Sequence, residues 1–134
     1  MKKPRASVAI VRGNTVLLIR RTRKGERYYI LPGGGIEEGE TPWVAAVREA
    51  KEELGIRMTD GREIGTFAYP DSNRTEYVHA ALLDAESREP RWREQHKVLP
   101  DNRFDPVWTN LDEVPALTMV PALAEILLTL RPND

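Results

Sequence analysis

Cysteine is missing from the chain. Without a thiol there is no disulfide, no thiolate nucleophile and no sulfur-held metal. Histidine is scarce too: His79 and His96 are the only two. That argues against a histidine-rich zinc centre, so a metal is expected to be held by oxygen. Oxygen sites select magnesium, manganese or calcium. A charge excess is also lacking, since 20 Lys and Arg meet 21 Asp and Glu for a net −1. The balance gives no footprint for extended nucleic acid or for a membrane surface. No apolar run approaches the length of a membrane span. The run from Ala6 to Val11 is too short for a signal-peptide core, and no small-residue cleavage pattern follows it. The expectation is a soluble, cytoplasmic protein folding as one domain over residues 1–134, long enough to bury a core without staples.

What is present reads as alternating blocks of strand and helix. Two β-rich runs flank Gly13-Asn14, a favoured two-residue turn, and predict a hairpin. A short strand is expected over Tyr28 to Leu31, stopped by Pro32 and three glycines. Thr41 is placed to cap a helix with Pro42 at its first position, and Gly55 to end it. "EIGTFAYP", "TEYVHAALLDA" and "FDPVWTNL" read as further strands, "DEVP" as a turn or short helical piece, and "TMVPALAEILLTLR" as a closing helix. The polar stretch Ser87 to Arg103 reads as a long surface loop, which in a compact domain is more often functional than idle. The order implies an α+β fold, an α/β/α sandwich around a mixed β-sheet.

The predicted helix poses a physical problem. "REAKEELG" puts Glu49 three and four residues before Glu52 and Glu53, and like charges at those spacings repel. At helical period, Trp43, Val47, Ala50 and Leu54 form the expected core seam, with the three glutamates on the opposite side. A solvated helix face explains such a string in isolation. The loop before it, "PGGGIEEGE", changes the weighting. Its glycines let a ligand approach the backbone and offer bare carbonyl oxygens. With the carboxylates, they make a flexible all-oxygen site suited to a hard divalent cation, which would reverse the repulsion.

These residues resemble the Nudix box. Gly34 is followed after five residues by Glu40, after seven more by Arg48-Glu49-Ala50, then by Glu52-Glu53 and Gly55-Ile56. Every invariant position of the box is present. The resemblance implies a Nudix fold and hydrolysis of a nucleoside diphosphate linked to another moiety, with Mg2+ or Mn2+. It implies Gly33, Glu49, Glu52 and Glu53 as metal ligands, Glu49 as a further ligand or the base, Arg48 as the residue that orients a glutamate, and Gly34, Glu40 and Gly55 as structural. The family often adds an acid from outside the box. Glu94 in the long loop is the first candidate for that catalytic role, and Glu76 the second.

The substrate's phosphates need cations, and Arg20, Arg21, Arg23 and Arg27 form the densest basic run. Tyr28, Tyr29, Phe67, Tyr69 and Trp108 are available to stack on a base, with core packing the more usual role for Phe67 and Trp108. His79 alternates with apolar neighbours and reads as structural, whereas the role of His96 stays open. The expected partner is a small nucleotide, with no extended nucleic acid and no membrane. A homodimer is compatible with the family. The preferred reading is a nucleoside triphosphate pyrophosphohydrolase. The alternatives are hydrolysis of ADP-ribose, an ADP-sugar or a dinucleoside polyphosphate, and a non-catalytic nucleotide-sensing domain.

Overall fold

Strands β1 (Arg5–Arg12) and β2 (Thr15–Arg23) form the expected hairpin around Gly13-Asn14, with Gly13 at φ +59°. The computed structural model describes residues 3–132. The two strands pair only beside the turn, Val11 with Val16 and Arg12 with Thr15, and then diverge. The chain itself fills the fork. A tight turn at Lys24 and Gly25, both at positive φ, returns β3 (Glu26–Ile30) antiparallel along β2. After Leu31-Pro32 the next strand, β4 (Gly33–Gly35), pairs instead with Arg5–Ser7 of β1. The glycine triplet, read from sequence as a strand stop, is therefore a strand itself.

Helix α1 (Pro42–Leu54) follows, capped by the Thr41 side chain and closed by Gly55 in the left-handed conformation. β5 (Met58–Ala68) and β6 (Thr75–Leu83) form an antiparallel pair, and β6 runs parallel to β1 from Arg5 to Val11. β5 starts five residues before the expected Glu63. Its polar entry holds a register shift between Thr59 and Arg62, and such irregularities mask the alternation. β7 (Asn102–Asn110) pairs along the other side of β2 and neighbours no further strand. Pro106 is tolerated there because an edge strand has one unpaired side. The "DEVP" region is a 3-10 turn, Leu111–Ala116. The closing helix is shorter than its apolar pattern: α2 spans only Ala124–Leu128. Pro121 lacks an N–H and cannot continue a helical ladder.

The architecture is the expected α+β sandwich around a mixed sheet. Ala6, Val8, Ile10, Leu17 and Ile19 pack under α1, while Ala9, Val16 and Leu18 pack under Leu111, Leu123 and Leu127. Covering both faces explains the near-continuous apolar runs of β1 and β2. No helix among the described residues is long and apolar enough to cross a membrane.

Candidate active site

The buried face of α1 keeps Trp43, Ala50 and Leu54 of the expected seam but is rotated away from Val47. Ala45, Ala46, Ala50 and Leu54 are buried, whereas Val47 is exposed. The reason is close approach: three alanines let the helix settle on a strand made of glycine. A Cβ on Gly34 would overlap the Glu49 carboxylate, and one on Gly33 would strike the Ala6 carbonyl and Ser7. Glu49 and Glu53 therefore do not lie opposite the core seam. They flank it and point inward, and the Gly33 amide donates to Glu53 Oε1 at 3.1 Å.

Glu52 lies on the outer flank, half-exposed, where it lines a separate opening with Lys51 and Arg93. The expected single face of three carboxylates is thus divided. Among the described residues no cluster of three carboxylate or imidazole groups is preformed for a metal.

Arg48 ties the elements together. Its Nε and Nη2 donate to the two Glu40 oxygens at 2.7 and 2.8 Å. Nη2 also reaches the Gly35 carbonyl at 3.0 Å, and Nη1 reaches Glu49 at 2.9 Å. A planar fork suits this multiple pairing. Hydrogen bonds from Arg48 and the Glu37 amide hold Glu40 down at about 2. Glu40 thus links the glycine loop to the helix, and Arg48 steadies Glu49 closely and reaches Glu52 at 3.5 Å.

Glu49, Glu53 and Gly33–Gly35 line a cleft of about 620 Å³. Its walls include Arg5, Arg21, His96, Lys97 and Asn102. Burial pushes Glu53 up to about 8; the Glu49 and Glu94 charges add to this, against the Gly33 amide and Arg5. A carboxyl held this way is one that a cation would return to its ionised form. Mg2+ is commonly held by one or two carboxylates plus substrate phosphates rather than by a full protein cage. The residues present fit that group.

The long loop docks on the end of α1: Arg93 N–H donates to the Glu53 carbonyl at 2.7 Å, and Trp92 stacks on Phe104 at 4.4 Å. Glu94 lies at its turn, paired with Lys97 at 2.9 Å. Glu76 is 2% exposed and accepts from Arg5, Ser7 and Tyr69. Those donors tie it into the surrounding strands, and it is not among the residues that line the cleft. His79 is buried, with Nδ1 3.1 Å from the Ser7 carbonyl.

Strand alternation splits the basic run. Arg21 shares the α1 face with Leu17 and Ile19, lies over Phe104 at 4.3 Å and lines the cleft. Arg23 follows on that face at the exposed strand end. Arg20 lies on the opposite face near Asp105, and Arg27, which pairs with Thr22, shares that side. Neither reaches the cleft. Arg5, absent from the expected cations, does. A lone arginine opening a strand gives no local signal; only the pairing of β1 with β4 places it.

A glycine strand beneath a glutamate-bearing helix, set in this mixed-sheet sandwich, defines the architecture of a Nudix hydrolase. Known proteins agree: the NUDIX domain model matches residues 1–130. The chain belongs to the NUDIX family. It is 36% identical over 118 residues to a putative 8-oxo-dGTP diphosphatase 2 of Mycobacterium tuberculosis, covering 85% of this chain and 77% of that protein. It is 40% identical over 68 residues to mouse diphosphoinositol polyphosphate phosphohydrolase 2, covering 51% of this chain but only 37% of that protein. A crystal structure of a MutT NUDIX hydrolase from Burkholderia pseudomallei superposes with a TM-score of 0.70 at 29% identity, over 95% of each chain.

Proposed function

We propose that this protein is a divalent-cation-dependent pyrophosphohydrolase whose substrate is a nucleoside triphosphate, split by water into the nucleoside monophosphate and pyrophosphate. The observation that carries the proposal is the inward pair Glu49 and Glu53 beside bare glycine backbone, in a cleft also lined by Arg5, Arg21 and Lys97. Carboxylates alone would repel a phosphate chain. Carboxylates with a bound cation, flanked by basic side chains, attract one. Similarity to the 8-oxo-dGTP diphosphatase supports the nucleotide reading.

Glu49 and Glu53 would hold the ion, with the Gly33 backbone beside them and Glu52 as a further ligand from the flank. A bound Mg2+ or Mn2+ would supply neutralisation of the phosphate charge and acidification of the attacking water. Glu49 serves as a ligand or accepts the proton that the water loses. Arg48 fixes the Glu49 carboxylate through the 2.9 Å bond. Arg21 and Lys97, which also line the cleft, attract the phosphate chain. Glu94, tied to Lys97, restrains the loop and is the candidate acid from outside the box.

A second reading has its own observation. The cations along the cleft suit a substrate whose second group is itself polyanionic, and the diphosphoinositol polyphosphate phosphohydrolase likeness supports it. The test is a product screen over nucleoside triphosphates, nucleotide sugars, dinucleoside polyphosphates and diphosphoinositol polyphosphates, with Mg2+ and with Mn2+, in which pyrophosphatase converts released pyrophosphate to phosphate and chromatography resolves the other products. Turnover fastest on a triphosphate supports the first reading, and fastest on an inositol compound the second. No turnover of any compound defeats both and favours a sensing domain.

A further inference from the structure

Glu76 is an unusual residue to find in this core. It is fully buried and acidic, and the proposed chemistry does not use it. Burying a carboxylate is unfavourable by several kcal/mol unless it is paired and hydrogen-bonded, and a hydrophobic residue of similar size would fill the space. Three donors satisfy it: Tyr69 Oη at 2.7 Å, Ser7 Oγ at 3.0 Å and Arg5 Nε at 3.1 Å. Ser7 lies on β1 and Tyr69 just past the end of β5. The third leads to the cleft.

Arg5 opens β1, with Gly35 of β4 beside it on one side and Glu76 of β6 on the other. Its side chain is 27% exposed and lines the cleft with Glu49 and Glu53. Glu76 engages only Nε. Among the described residues, neither terminal nitrogen of Arg5 has a hydrogen-bond acceptor in the protein. An anchored guanidinium presenting its free nitrogens to a cleft is preorganised to receive a phosphate oxygen pair.

We propose that Arg5 binds the phosphate chain of the substrate directly, and that buried Glu76 is its positioning residue, holding the guanidinium by Nε so that its terminal nitrogens face the cleft. This rests on the pyrophosphohydrolase reading for turnover, but not for binding. Glu76 acts only through Arg5, so the two residues form one functional unit whose effects on binding are not additive.

The experiment is a double-mutant cycle with Arg5→Lys, Glu76→Gln and the double variant. Circular dichroism checks each for folding. Arg5→Lys keeps the charge and loses the fork, and it provides a folded variant in which Arg5 is tested alone. Binding of methylenediphosphonate, a non-hydrolysable pyrophosphate analogue, is measured by calorimetry with Mg2+; kcat and KM are measured on the best substrate. Each single variant weakens analogue binding and raises KM about tenfold, with kcat within about threefold. The double variant is no worse than the weaker-binding single.

A purely structural Glu76 would lower the melting temperature and leave analogue binding by the folded protein unchanged. That outcome, additive losses in the double variant, or unchanged binding in Arg5→Lys, overturns the proposal. Analogue binding that depends on both residues, in a protein that turns over nothing, would sustain it while defeating the enzymatic reading.

Discussion

Replacing Glu53 by Gln should strengthen the metal-free fold while abolishing activity, and the gain should depend on pH. An ordinary glutamate titrates at 4.5, whereas burial pushes Glu53 in the folded protein to about 8. Below pH ~4.5 both states carry the proton and the difference contributes nothing. Between pH ~4.5 and ~8 the unfolded chain ionises while the folded site stays protonated, so stability falls as pH rises. Above pH ~8 the full penalty is in place. At ~1.36 kcal/mol per pH unit the penalty is at most ~5 kcal/mol. Entry of water into the open cleft reduces this to ~2–3 kcal/mol. Glutamine keeps an oxygen for the Gly33 amide but carries no charge, so it avoids the penalty. The assay is urea unfolding in EDTA at pH 5 and pH 9. At pH 9 Glu53→Gln should exceed wild type by ~2 kcal/mol or more, roughly a 1 M rise in midpoint; at pH 5 the gap should nearly vanish. Added Mg2+ should stabilise wild type at pH 9 by mass action and the variant much less. A variant no more stable than wild type at pH 9, or equally advantaged at both pH values, would mean that burial does not hold the Glu53 carboxyl neutral.

Other outcomes follow from the same geometry. Gly34→Ala forces a methyl group onto the Glu49 carboxylate and should lose ~1–3 kcal/mol of stability along with most activity, as read by melting and kcat. Arg21→Met should raise KM at least several-fold, whereas Arg20→Met, on the far face of the sheet, should leave it near wild type; equal effects would contradict the alternation along β2. Arg48→Lys removes the fork that holds Glu40 and Glu49, so kcat should fall about tenfold or more with charge conserved. Glu94→Gln should lower kcat; wild-type kinetics would leave Glu94 as only a partner for Lys97.

The local signals were legible where chemistry is local. Gly13-Asn14 made its hairpin, and Thr41, Pro42 and Gly55 bounded α1 as their capping chemistry requires. The box located the glutamates and the arginine that ties them. Long-range packing hid the rest. The seam holds at Trp43, Ala50 and Leu54 but not at Val47, because close approach to the glycine strand draws in the small side chains of Ala45 and Ala46 instead. That same closeness turns Glu49 and Glu53 inward and leaves Glu52 on the flank. The triplet Gly33–Gly35 has no strand propensity and is a strand only because β1 offers it an edge. Arg5 and Glu76 lie 71 residues apart in sequence, and only the parallel pairing of β1 with β6 joins them.

Glu49 and Glu53, inward beside the glycine strand, are proposed to hold the divalent ion on which catalysis depends. Mn2+ binding to the metal-free protein, followed by the loss of the free-ion electron paramagnetic resonance signal at pH 8, tests it most directly. Wild type should bind saturably, and Glu49→Gln and Glu53→Gln, both folded, at least tenfold more weakly. Wild-type affinity in both variants would contradict it.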